Sequence, residues 1–158
     1  SSAATDAAER SFAGVSGYLA EIDSAEENQA VFDGVFSMVG DDILSLPYAS
    51  DGGTAAYIWL GGTDEADEGS WVWKTSGQQF WEGGPAGSSV GNRYSNWGQD
   101  ASGSQSEPDD SMMSQDGLGL ALESWPYGSS NYLGSEGEWN DIDLLNELYY
   151  LVEFDAVQ

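Results

Sequence analysis

Apolar residues recur at helical spacing in one long stretch of this chain and in strand-like runs in several short ones. Val31, Phe32, Val35, Phe36 and Val39 fall on one face of a 3.6-residue period, which predicts a helix over 24–38 with that face turned to the core. Ser24 and Glu27 stand at its start in the spacing of a capping box, which satisfies backbone N–H groups that the first turn leaves open. A second helix is predicted over about 5–13. β-Branched and aromatic residues bounded by Gly, Asp and Ser predict strands at 18–22, 55–60, 70–73, 118–122 and 148–154, so the chain reads as α+β.

Two stretches follow neither period. Residues 83–117 are rich in Gly, Ser, Asn, Asp and Pro, and a loop of that length inside a compact domain is usually functional. Residues 123–137 form a second insertion-like loop, which carries Trp125, Tyr127 and Tyr132 and runs straight into GEWND at 137–141. VGDDILSL at 39–46 looks like half of a calcium-binding nonapeptide repeat. A solenoid needs at least about three repeats and the chain has no second copy, so this segment reads as a loop.

Composition narrows the function classes. A length of 158 residues fits a single domain, 1–158, large enough to bury roughly 68–70% of its unfolded surface without disulfides. Only Arg10, Lys74 and Arg93 oppose 28 acids, and the formal charge of −25 repels nucleic-acid phosphates and anionic membranes. Much of that charge serves solubility in salty water, where screening over a Debye length of about 8 Å or less makes self-repulsion tolerable. No apolar run nears the ~18 residues of a membrane span. The N-terminal SSAATDAAERSF has neither a basic region nor an apolar signal core, so any export signal is expected to lie outside this chain.

The absence of His and Cys removes imidazole and thiolate metal sites and thiol redox chemistry. What remains is oxygen chemistry. Eight oxygen-bearing side chains form three clusters: Asp64 and Glu68; Glu107, Asp109, Asp110 and Gln115; Asn140 and Asp141. Calcium takes six to eight such ligands at roughly 2.3–2.6 Å, from carboxylates, amide oxygens and carbonyls. Acidic turns such as DEADEG or EPDD also arise by chance in so acidic a chain, so the surrounding sequence decides. Catalysis is disfavoured: there is no His base, nucleophile elbow or phosphate loop, and the acids have a better use as ligands.

The surrounding sequence reads GYLAEIDSAEENQAV at 17–31, WLGGTDEADEGSWVW at 59–73, YSNWGQ at 94–99, EPDD at 107–110, GEWNDID at 137–143 and YYLVEF at 149–154. Over about residues 5–155 this resembles the C-type lectin-like domain, most nearly its Cys-free bacterial form, found as a module of large RTX-type surface adhesins. The resemblance implies two helices flanking a small, mostly antiparallel sheet, with residues 83–117 as the calcium-binding long loop. It implies a primary calcium ion on Glu107, Asp109, Gln115, Asn140 and Asp141, with a cis bond before Pro108. Gln115 stands where the family usually has Glu, the alternative being that Asp116 substitutes. It further implies an auxiliary ion on Asp64, Glu68 and Asp110. Trp59, Trp71, Trp73, Trp97 and Trp139 match positions that pack beneath the loops. Gly117, Leu144 and Val152 stand where animal members carry cysteines, so packing is expected to replace those bridges. No strand precedes the first helix, and either that strand was trimmed or another element covers 149–154.

The function implied is calcium-dependent recognition of a cell-surface glycan by a monomeric module of a larger chain on the bacterial cell surface. Glu107, Asp109 and Asn140 would meet ligand hydroxyls held on the ion, and Trp125, Tyr127 and Tyr132 would line the ligand. The motif Glu-Pro-Asp is a hybrid of the mannose-type and galactose-type patterns, so sugar specificity does not carry over. Two other readings stay open. One is a module that binds a peptide or protein through its carboxylate, and the other a structural or ice-binding domain that retains only the fold.

Overall fold

The computed structural model describes residues 2–156. Helix α1 spans Ser2–Glu9 and α2 Ala25–Val39. Short strands β1 (Ser11–Phe12), β2 (Val15–Ser16), β3 (Tyr18–Leu19) and β4 (Tyr48–Ala49) flank the helices. The main sheet is built on β5 (Ala55–Thr63), with β6 (Ser70–Trp73), β7 (Gln79–Glu82), β8 (Ser88–Ser89), β9 (Gly117–Ala121) and β10 (Trp139–Ile142). Its order is β10-β9-β5-β6-β7-β8, antiparallel throughout. β11 (Tyr149–Tyr150) adds to β5 in parallel, and β12 (Val152–Glu153) pairs antiparallel with β3. The expected α+β fold is therefore present, with two helices on a mostly antiparallel sheet.

Several boundaries differ from the sequence reading for identifiable reasons. The first helix ends at Glu9 because Ala13 and Gly14, both at positive φ, turn the chain into the β1–β2 hairpin. Strand β5 runs on through Gly61 and Gly62, where a Cβ would lie 2.7 Å from the Leu19 carbonyl and 2.6 Å from the Leu118 side chain. Only glycine leaves room for the Leu19 backbone and the Leu118 side chain to approach β5 so closely. The single strand expected at 148–154 is two, because Tyr149–Tyr150 and Val152–Glu153 pair with different partners. β3 is thus the element that covers the last strand, and Phe12 packs on Phe154 with ring centroids 6.0 Å apart.

Helix α2 starts as expected: the Ser24 side chain accepts the Glu27 N–H, although Glu27 returns to the Asp23 N–H and not to that of Ser24. Its core face is narrower than its period suggests. Val35 is buried and Val31, Phe32 and Val39 pack partly, but Phe36 stays 44% exposed against Phe32. The helix is anchored by a polar contact instead. Buried Asn28 accepts the Trp139 indole N–H at 2.7 Å and donates to the Gly137 carbonyl at 2.9 Å, which ties α2 to the start of β10.

Trp71, Trp73, Phe80, Trp81, Trp97 and Trp139 form one aromatic core with Ile22, Leu60, Leu118 and Leu120. Trp97 sits at its centre, 4.8 Å from Trp71 and 6.0 Å from Trp139. Pairs of this kind add about 0.5–1.5 kcal/mol each beyond the area they bury. Ion pairs contribute little by comparison, since Arg10–Asp6 and Lys74–Glu65 are both largely exposed. The chain is tightly packed at these positions: a Cβ on Gly117 would meet Trp59 and Leu144 within 2.7 Å, and one on Gly17 would meet Val152 at 2.5 Å.

Candidate functional site

Strand β10 delivers Asn140 and Asp141 to one end of the sheet, with all four of its residues buried. The long loop meets them there. Its Glu107–Pro108 bond is cis, and carboxylate oxygens of Glu107, Asp109 and Asp141 lie within 4.8 Å of one another. Asp141 accepts the backbone N–H groups of Asp109 at 3.2 Å and Asp110 at 2.7 Å, which holds the loop on the strand. Glu107 is 2% exposed; its Oε1 accepts the Trp125 indole N–H at 3.0 Å, and its Oε2 has no hydrogen bond among the described residues.

Burial, then the charge of Asp141, pushes the Glu107 carboxyl well above the usual range, and burial raises Asp141 against the opposing Asp110 N–H. Two buried carboxylates with a third beside them call for a cation or for protons. The donors are oxygen only, and one is a buried carboxylate oxygen without a partner. That set fits a hard divalent ion such as calcium.

Gln115 and Asn140 stand close by, each with hydrogen bonds of its own. The Gln115 amide is engaged at both ends: its oxygen accepts the Ser111 N–H at 2.6 Å, and its nitrogen donates to the Asp51 carboxylate at 3.2 Å. Asp51 also accepts from the Asp143 N–H and the Asn146 amide. Asn140 donates through Nδ2 to the Tyr57 hydroxyl at 2.9 Å. Asp51 and Tyr57 have no signal in the local sequence, because their partners lie 64 to 95 positions away.

A second cluster joins Asp64, Glu68 and Asp116, again with carboxylate oxygens within 4.8 Å of one another. Asp64 is buried; Oδ2 accepts the Gly69 N–H at 2.9 Å and Oδ1 has no hydrogen-bond partner among the described residues. Burial pushes it up to about 7, with the charges of Glu68 and Asp116 adding and the Gly69 N–H opposing. Asp110, the third ligand expected from sequence, bears on Glu68 only through its charge, while its Oδ1 accepts the Gln115 N–H at 3.2 Å. Asp116 is the third carboxylate within that distance, and Asp110 has a left-handed backbone, at φ 47°, just before the short 111–113 helical turn.

No family model matches the chain. Solved structures do. CEL-I, a C-type lectin from Cucumaria echinata, is 22% identical with a TM-score of 0.58 over 98% of this chain and 81% of that one. CEL-IV is 23% identical with a TM-score of 0.58 over 99% and 81%. The C-type carbohydrate-recognition domain of cow CD23, solved in the presence of a GlcNAc2Man3 oligosaccharide, is 19% identical with a TM-score of 0.51 over 89% and 72%. The chain has a C-type lectin-like fold. In sequence it is 32% identical over 95 residues to halomucin of Haloquadratum walsbyi, which covers 58% of this chain and spans 1% of that protein.

In this C-type lectin-like fold the loop after β9 divides its aromatics. Trp125, expected beside a ligand, is 1% exposed and packs under the site, whereas Tyr127 is 54% exposed and Tyr132 half-buried. Trp59, Trp71, Trp73, Trp97 and Trp139 are all buried, as expected. None of the described helices is long and apolar enough to cross a membrane.

Proposed function

We propose that this domain is a calcium-dependent, non-enzymatic recognition module for a cell-surface glycan, carried by a large extracellular surface adhesin. The observation that carries the reading is Glu107 Oε2, a buried carboxylate oxygen without a hydrogen bond, gathered with Asp109 and Asp141. A bound calcium ion would supply positive charge and open coordination positions for paired ligand hydroxyls. Glu107, Asp109 and Asp141 would hold it, and exposed Asp109 marks the side from which a ligand approaches. Asp64, Glu68 and Asp116 would hold a second ion that braces the long loop, since Asp116 follows Gln115 within it. The C-type lectin-like fold and the oligosaccharide context of the CD23 domain support a sugar ligand, and the minute share of halomucin matched supports a module within a very long chain.

One observation favours a peptide ligand instead. Met112 and Met113 are 83% and 88% exposed on the loop that carries Asp109, with φ of 66° and 59°. Flexible thioethers of this kind suit apolar side chains. A glycan array and a library of peptide C-termini, each probed in calcium and in chelator, separate the two. Calcium-dependent glycan binding supports the proposal, peptide binding alone transfers the site to the second reading, and binding that ignores chelator defeats both.

A further inference from the structure

The carboxylate site rests on two aromatic side chains that are themselves out of solvent. Trp125 and Tyr57 are each 1% exposed and pack edge to face with centroids 5.8 Å apart. An indole N–H can only donate, so its 3.0 Å contact makes Glu107 Oε1 an acceptor and leaves Oε2 as the free oxygen. Tyr57 acts likewise on Asn140. Its single hydroxyl proton goes to the Gly52 carbonyl at 2.7 Å, so it can only accept from Asn140, which must present its NH2 there at 2.9 Å. The amide orientation is thereby set, with Oδ1 facing away from Tyr57.

The indole lies in a slot made for it. A Cβ on Gly134 would fall 2.0 Å from the ring and one on Gly98 2.4 Å from it, and neither glycine has a positive φ, so space alone requires them. These residues belong to different loops. Both make way for a ring whose polar atom ends on the site.

We infer that Trp125 and Tyr57 are positioning residues, the first aiming the Glu107 carboxylate and the second the Asn140 amide oxygen into the cation site. The inference rests on the calcium reading above. Partners that orient a ligand in this way are typically worth about 10- to 100-fold in metal affinity.

Calcium titration calorimetry of the whole domain tests it. Trp125→Phe removes the N–H and retains an aromatic ring, and should weaken calcium binding by about 10-fold or more. Trp71→Phe is the control, since its indole is equally buried but has no hydrogen-bond partner among the described residues; it should lower the melting temperature and leave calcium affinity unchanged. On a Glu107→Gln background Trp125→Phe should add almost nothing, because groups that act through one another are not additive. If Trp125→Phe fails to fold, Tyr57→Phe, which removes only a hydroxyl, carries the same expectation without touching a carboxylate. Native calcium affinity in the Trp125 and Tyr57 variants, with affinity lost in Glu107→Gln, overturns the positioning role and leaves the calcium reading standing. Native affinity in Glu107→Gln overturns both.

Discussion

The two carboxylate clusters are built from the same three groups and differ in how much of each the fold surrounds. In the first, Glu107 and Asp141 are both buried and tied to an indole N–H and two backbone N–H groups, with only Asp109 open. In the second, Asp64 alone is buried and holds one N–H, while Glu68 is exposed and Asp116 half-buried. Exposed carboxylates can be neutralised by water and salt, whereas buried ones cannot. The first cluster should therefore depend on its cation for function and the second chiefly for bracing.

The largest expected effect separates the clusters directly. Asp109→Ala and Asn140→Ala should abolish retention on an immobilised ligand in calcium while the far-UV spectrum stays native, whereas Asp64→Ala should only lower apparent affinity. Equal damage from all three would erase the distinction. Within the second cluster, Asp116→Asn should exceed Asp110→Asn in its effect on calcium stoichiometry, and the reverse order would restore Asp110 as the third ligand.

Stability comes next. Calcium at 100 times its dissociation constant adds about 2.7 kcal/mol, which for a domain this size raises the melting temperature by roughly 5–10 °C. Identical midpoints in chelator and in millimolar calcium would remove the cation from both clusters. Magnesium should substitute poorly, because it demands a smaller octahedron and gives up water reluctantly.

A smaller effect appears with pH. Asp64 is raised from 3.8 to about 7 in the folded, cation-free domain, so the folded state holds its proton more tightly than the unfolded chain. That contribution is complete below about pH 4 and is lost as pH rises through 7, so in chelator the melting temperature should fall across this range. Asp64→Asn should flatten the slope. In calcium the trend should reverse, since protons compete with the ion for the same oxygens. The smallest change is expected from Tyr127→Ala, which removes an exposed ring and should weaken the preferred ligand by about 2- to 10-fold without moving calcium affinity.

Features that act over a few residues were legible from the sequence: the Ser24–Glu27 cap, the strands at 55–60 and 70–73, and the grouping of acids around Pro108. The short β7–β8 pair escaped because Gln79–Glu82 lies among turn residues and its strand character comes from pairing with β6. Trp125 was misplaced for a related reason. Its loop composition reads as open surface, and it is interior because it packs with Tyr57, Ala49 and Ile142 and fits against Gly98 and Gly134, none of them its neighbour in sequence.

By itself, then, the sequence determined the donor chemistry, oxygen without imidazole or thiolate, and the order of elements that brings acids to one end of a sheet. Tertiary structure alone decided which acids meet. Asp110 and Asp116 carry the same side chain and stand six positions apart, yet the Asp110 carboxylate accepts the Gln115 N–H while Asp116 joins Asp64 and Glu68. It also decided which oxygen of Glu107 stays free, because a hydrogen bond spanning 18 positions from Trp125 claims the other. Local pattern reports what a side chain can offer; whether the offer is taken depends on neighbours the chain reaches only by folding.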